Sequence, residues 1–340
     1  MKIEILDKKS YEAYDAFLLS QKHTLFYHSV KYKNFLEDLL GCESRYLLGY
    51  ENEKIVAALP LMIKEGPLGK VVNSLPYYGS NGGILSQNTK YSEILLCEYN
   101  RFICQKDIVS ATYIENPLNK DKNIPLYNFL DKRIGQFTYI GCSENFEEEI
   151  FKRISGNRRN EIRRAQKHGV QVFEENNQFD FIRLTHQAEM KEKNRKYKAD
   201  EFFNKIRKHF SPGKDYKIFM AYLDQKPIAG LLMFYFNKTV EYFTPVIIGD
   251  ARIYQPMSLI LYYAFLDAMK QGYEWFNWGA TWFSQEGVHR FKKQMGAEDL
   301  FYNYYIQVNM PDILKNDPSN ILLMYPDFYV FNFNNTGVEK

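Results

Sequence analysis

Apolar positions along the chain keep two rhythms, and switches between them mark the elements. Residues 2–6 alternate as a strand does, while Tyr11, Tyr14, Phe17 and Leu18 share one face of a helix over 10–20. A second helical pattern over 30–40 stops at Gly41. Residues 44–50 and 55–63 flank a Glu-Asn-Glu turn and predict a hairpin. A strand over 71–75 leads into a Tyr- and Gly-rich loop at 76–83. Then come a helix over 91–104, a buried-type strand over 108–114 closed by Asn116-Pro117, and a short strand over 137–142.

The second half starts with Phe146, Ile150 and Ile154 at helical spacing, followed by a helix over 156–168. A basic helical stretch spans 191–208. A hairpin of 219–223 and 228–236 turns at Asp224-Gln-Lys226, and 240–247 adds a strand. Pro256 suits the first turn of a helix running to about Lys270, apolar nearly all round as a buried helix is. The strand over 273–278 breaks at Gly279. Ser284 is placed to cap a short helix that carries Arg290, Phe291 and Lys292 and ends at Gly296.

The two halves repeat. Residues 53–61 (EKIVAALPL) align with 225–233 (QKPIAGLLM), Lys54 and Lys226 lying 172 positions apart (226 − 54). After each hairpin come a strand, a loop, a long helix and a buried strand. This order predicts two copies of one α/β unit with mixed sheets: 1–150 and 151–310, the second carrying the site. Residues 311–340 are apolar enough to pack back on the first unit.

Composition narrows the class. With 340 residues, 45% hydrophobic and 25% charged, the chain suits two soluble globular domains. A net charge of +3 is too small to argue for nucleic acid by itself. The first residues lack the apolar core of a secretory signal, and the best apolar run, 228–236, is too short to span a bilayer. Cys42, Cys97, Cys104 and Cys142 show no metal or redox spacing, and Cys97 and Cys104 read as core thiols. A cytoplasmic protein without a metal site or a tightly bound cofactor is the expectation.

Three stretches carry a resemblance: 287–296 (GVHRFKKQMG) after a strand ending in Trp-Gly, 74–85 (SLPYYGSNGGIL) and 157–170 (NRRNEIRRAQKHGV). Together they resemble the FemABX-like proteins of the GNAT-like N-acyltransferase superfamily, whose best-known members add amino acids to peptidoglycan precursors. The resemblance implies tandem GNAT-like units and transfer of an aminoacyl or acyl group to an amine of a peptidoglycan or surface-polysaccharide precursor. Such an acceptor is an amino-sugar or peptide, nucleotide- or lipid-linked, and is compatible with peripheral membrane contact. The donor is left between aminoacyl-tRNA and an acyl-CoA or acyl-carrier thioester. The heptad-rich helical arm of some relatives has no counterpart here, which weighs against tRNA.

Within that frame Lys292 is the catalytic candidate, its charge offered to a developing oxyanion or a substrate phosphate, with Phe291 as its buried anchor. Trp278 ends the preceding strand. Tyr77, Tyr78 and Asn81 belong to the loop where glycine permits close approach. Arg158 and Arg159 lie on a helix with seven Lys and Arg against one acid over 152–168, suited to phosphates. Arg252, Tyr254 and Gln255 stand where simple GNAT enzymes carry a glycine-rich pyrophosphate turn. Here that turn has no glycine, and Pro256 removes an N–H, which argues against ordinary CoA binding. No general base is evident; Asp250, Glu286 and His289 are near only in sequence. A non-catalytic nucleic-acid-binding protein using the basic helices, or an inactive tandem scaffold, would account for the same residues, and oligomeric state is not legible.

Overall fold

In the computed structural model of the chain, residues 1–77, 81–119, 123–141, 145–281 and 285–331 are described. Two compact units emerge: Met1–Ile134 with Leu300–Lys340, and Gly135–Asp299.

The first unit opens with β1 (Lys2–Ile5), α1 (Tyr11–Ser20) and α2 (Val30–Leu40). Ser29 caps α2 by accepting from the Tyr32 N–H, and Gly41 ends it in the left-handed region at φ 54. There follow β2 (Glu43–Ser44), β3 (Leu47–Glu51), β4 (Lys54–Leu59), β5 (Met62–Gly66), β6 (Gly69–Asn73) and β7 (Leu85–Ser86). Then come α3 (Thr89–Ile103), β8 (Ile108–Ile114) and β9 (Phe129–Tyr139). One sheet runs β1-β3-β4-β7; in another, β2-β5-β6-β8 are neighbours, with β6 and β8 parallel. Leu95, Tyr99 and Ile103 of α3 pack on Leu47, Leu59, Val72 and Ala111 of these strands.

The second unit contains α4 (Phe146–Arg153), α5 (Gly156–Lys167), β10 (Gln171–Glu174), α6 (Phe179–Glu192) and α7 (Asp200–His209). These lead to β11 (Tyr216–Leu223), β12 (Lys226–Phe236), β13 (Thr239–Ile247), α8 (Pro256–Lys270), β14 (Trp275–Ala280) and α9 (Glu286–Gln294). Its sheet runs β10-β11-β12-β13-β14-β9, with β13 and β14 parallel. Helix α8 is buried on nearly every side among Phe219, Leu231, Val240 and Phe276, as its all-round apolar sequence requires.

The repeat extends to backbone detail. Both hairpins close through two residues with positive φ, Asn52 and Glu53 (46 and 61) and Asp224 and Gln225 (48 and 63), the geometry of a type I′ turn. The register shifts between Gly49 and Tyr50 in the first copy and between Ala221 and Tyr222 in the second, again 172 positions apart (221 − 49). At Leu232 the second copy bulges and continues as β12, whereas the first carries Pro60 there and breaks into β4 and β5.

A strand from outside each repeat completes each sheet. β9 reaches β14 from residue 135 onward, and β15 (Glu298–Val308) pairs antiparallel with β8. The compact division therefore falls at 134/135 and 299/300, not at the 150/151 and 310/311 that periodicity suggested. After β15, α10 (Pro318–Met324) leads to a segment within the first unit: Tyr325 Oη donates to Gly69 O, and Ser110 Oγ to Val330 O.

Two expectations need correcting. The basic stretch 191–208 is two helices, because α6 stops at Glu192, Asn194 turns left-handed at φ 50, and α7 starts at Asp200. Cys97 and Cys104 are exposed rather than core thiols; α3 buries Leu95, Leu96, Tyr99, Phe102 and Ile103 instead. Cys142 and Ser284 lie outside the described residues.

Candidate active site

Strands β13 and β14 pair over only three residues each, 239–241 against 275–277. Each then runs on, to Ile247 and Ala280, and there the strands part. Val240 and Phe276 point into the α8 core. The next residue on each strand, Glu241 and Asn277, faces the other side of the sheet, and both are buried. Opposite Leu232 and Met233, β13 carries one extra residue, Phe243, between Tyr242 and Thr244. Bulges of this kind re-aim side chains beside sites.

Lys292 lies under the end of β14, only 4% exposed. Its Nζ donates to Trp278 O at 2.8 Å, Thr281 Oγ1 at 2.8 Å and Ala280 O at 3.5 Å. Burial pushes its ammonium down to about 8. Thr281 Oγ1 donates in turn to Gln136 Oε1 at 2.7 Å, and Gln136 Nε2 to Asp299 Oδ1 at 3.2 Å. Asp299 also faces His289 Nε2 at 3.1 Å. The charge of Asp299 thus fixes the Gln136 amide, which orients the Thr281 hydroxyl, which leaves a lone pair for Lys292.

The anchor relation expected on α9 is reversed. Lys292 and Met295 take the buried face, while Phe291 is half-buried beneath the Arg158 guanidinium, 4.6 Å from its ring centre. The carbonyls at the end of β14 favour an ammonium there over a ring.

The other candidates fall into three places. Trp278 is buried beside Lys292, its Nε1 donating to Thr138 Oγ1 at 2.9 Å. Arg158 joins it through α9, with Nε donating to Gln294 Oε1 at 3.0 Å, while Arg159 bonds Phe151 O on α4. Arg252, Tyr254 and Gln255 form the turn before α8: Arg252 pairs with Glu189 at 2.8 Å, and Tyr254 stacks edge-on with His168. Tyr77 and Asn81 belong to the first unit, where the Tyr77 N–H donates to Asp327 O and Asn81 Nδ2 to Glu115 O. Tyr78 lies outside the described residues.

Sequence reasoning missed Asn277, Gln136 and Thr281, and also Lys198. The Lys198 Nζ donates to Thr244 Oγ1 at 2.7 Å over the Phe243 ring, and burial pushes it down to about 7. A polar Asn inside the apolar run Trp-Phe-Asn-Trp was the one visible signal.

Residues 153–293 match the family described as acetyltransferase (GNAT) domain. No curated protein matches the chain by sequence. Among solved structures, FemX matches with a TM-score of 0.72 and 12% identity over 93% of this chain and 100% of that one. The chain has the fold of FemX. A conserved protein of unknown function from Bacteroides thetaiotaomicron aligns at TM-score 0.58 and 10% identity, covering 91% and 100% of the two chains. L-PGS from Bacillus licheniformis aligns at 0.51 and 13%, covering 94% and 96%. This is a FemX-like architecture of two GNAT-like units, an N-acyltransferase fold.

A GNAT domain implies acetyl-CoA, whose pyrophosphate needs free N–H groups at the start of α8. The residues there do not fit. Pro256 has no N–H, Gln255 is left-handed at φ 55, and Ser258 Oγ on that first turn donates at 2.8 Å to the carboxylate of Glu161 on α5. Among the described residues no His/Cys/Asp/Glu group is placed to hold a metal, and no helix is long and apolar enough to cross a membrane.

Proposed function

We propose that this FemX-like protein transfers an aminoacyl or acyl group to the amine of a peptidoglycan or surface-polysaccharide precursor in the cytoplasm. The observation that carries the reading is the parting of β13 and β14 inside the GNAT-matched segment, with Lys292 pinning the end of β14. A gap between parallel strands exposes backbone and side-chain donors to a flat carbonyl while apolar walls exclude water. Tyr242 and Trp278, their rings 5.3 Å apart, supply such walls.

Lys292 acts through the turn it holds. Its hydrogens reach two carbonyls and a hydroxyl, so its charge stiffens 278–281 and lends a positive field to the gap. The donor is an activated acyl ester or thioester, aminoacyl-tRNA being the ester candidate; the start of α8 disfavours CoA held in the usual GNAT manner. Arg163, Arg164 and Lys167 stand exposed along α5 and suit the phosphates of a nucleotide- or lipid-linked acceptor or of tRNA. The same face supports the second reading, a polyanion-binding protein without catalysis.

Mass spectrometry of the purified protein with paired donors and amino-sugar or peptide acceptors tests the proposal. A donor-dependent mass gain on one acceptor is expected. No gain on any, with strongly salt-dependent binding of generic RNA, would favour the second reading.

A further inference from the structure

We propose that Asn277 supplies the hydrogen-bond donor for the carbonyl of the transferred acyl group, an inference that rests on the acyl-transfer reading above. Asn277 is 1% exposed, and its Oδ1 accepts the Gly279 N–H at 2.8 Å. That bond fixes which way the amide lies. Its Nδ2, with two hydrogens, finds no partner among the described residues. A buried amide left so carries a desolvation penalty that a bound ligand would relieve. Lys292, by contrast, already has three acceptors.

The position is informative too. Asn277 and Glu241 form the last pair of the β13–β14 ladder, on the face away from α8. The first unit holds the equivalent pair, Asn73 and Thr112, at the end of the β6–β8 ladder, on the face away from α3. There the pair is occupied. Asn73 Nδ2 donates to Tyr329 O at 2.7 Å, the Tyr329 N–H donates to Asn73 Oδ1 at 2.7 Å, and Thr112 Oγ1 donates to Tyr329 O at 3.3 Å. One copy thus shows this ladder end gripping a peptide carbonyl from the chain itself, through an amide on β6 and a hydroxyl on β8, while the other carries its amide on β14, the counterpart of β8, without a partner.

The chemistry follows directly. The acceptor amine forms an N–C bond to the acyl carbon, and the carbonyl oxygen gains negative charge facing Nδ2. Collapse breaks the C–O bond of an ester or the C–S bond of a thioester. The leaving oxygen or sulfur takes the electron pair and the proton that the amine gives up, and Asn277 is unchanged. Its donor is worth most where the oxygen is most negative.

The test joins one variant with one measurement on the unaltered chain. Asn277→Asp keeps the acceptor for Gly279 and replaces the donor by a negative oxygen. Turnover per folded molecule should fall about 10²–10³-fold with little change in Michaelis constant. In parallel, the side-chain amide resonances of Asn277 are followed by nitrogen-15 NMR. The probes are two inert donor analogues: the alanyl amide of 3′-amino-3′-deoxyadenosine for the ester class, and an S-acetonyl pantetheine for the thioester class. One probe should move the Asn277 amide protons downfield. Unchanged turnover in Asn277→Asp, or resonances that neither probe moves, would overturn the inference. If the variant does not fold, the resonances decide. If the unaltered protein transfers nothing yet its Asn277 resonance moves, the carbonyl site stands and the transfer reading falls; if both proteins turn over equally, the reverse holds.

Discussion

Replacing Lys292 by Met isolates the contribution of one buried charge, because Met keeps the aliphatic stem and removes the ammonium. Lys292 is 4% exposed, and its hydrogen-bond partners are two carbonyls and a hydroxyl rather than a carboxylate. Burial without a counter-charge lowers its pKa from 10.5 to about 8. In the unfolded chain the amine stays protonated up to about 10.5, so between these values the unfolded state binds more protons and stability rises with pH. The slope approaches about 1.4 kcal/mol per pH unit, and over the whole window (10.5 − 8) the gain is about 3 kcal/mol. It is complete above the unfolded pKa and is lost as pH falls through about 8.

Urea unfolding of the parent and Lys292→Met at steps from neutral to alkaline pH measures this. The quantity of interest is the difference between the two proteins, in which the titration of Lys198 and the tyrosines cancels. Parent minus variant should climb by about 3 kcal/mol across the window. A flat difference would show that the amine is not desolvated and would remove the physical basis for its role. If the charge also assists transfer, parental turnover should decline as pH rises through about 8.

Three further outcomes are expected. Gly82→Ala places a Cβ 2.1 Å from Ser74 O, a backbone atom, so the loop must shift and stability should fall by about 1–3 kcal/mol, read as a lower melting temperature. Lys217→Met strands Asp267 and Glu174, which its Nζ meets at 2.8 and 3.0 Å; Asp267 keeps 23% exposure, so a loss of about 2–3 kcal/mol, below that of a fully buried pair, is expected in urea. Calorimetry with CoA should show no site at the start of α8. Tight binding that Ser258→Ala or a Gln255 variant abolishes would refute the reading of that turn.

What was legible in the sequence is what local chemistry decides. Gly41, Pro256 and the apolar all-round pattern of α8 were readable because caps and periodicity act over a few residues. The repeat was readable because two hairpins need the same turn, and type I′ geometry tolerates few residues. The facing of α9 was not. Periodicity assigns Phe291 to the core because a ring is apolar, yet the carbonyls of Trp278 and Ala280 create a polar hole that suits Lys292 better. Strand exchange was equally hidden: β9 pairs with β14 and β15 with β8, contacts that no local pattern encodes.

Two copies of one unit need not carry two sites, and the difference traces to particular residues. In the second copy, Leu232 keeps an N–H where the register bulges, so β12 continues as one strand and β13 reaches the parting with its extra residue Phe243. In the first copy, proline at the matching place removes that donor, and the strand breaks between β4 and β5. The first copy's ladder end is then filled by the peptide group of Tyr329, whose ring hydroxyl also donates to Asp131 at 2.8 Å. A filled ladder end has no donor left for a substrate, whereas Asn277 keeps one. The two ladder ends should therefore respond differently: Asn73→Asp should lower the melting temperature, because its new oxygen opposes Tyr329 O, and should leave turnover per folded molecule unchanged. Asn277→Asp should lower turnover per folded molecule. Equal effects of the two changes on turnover would mean that the copies share the chemistry, and that the broken strand at Pro60 does not decide where it happens.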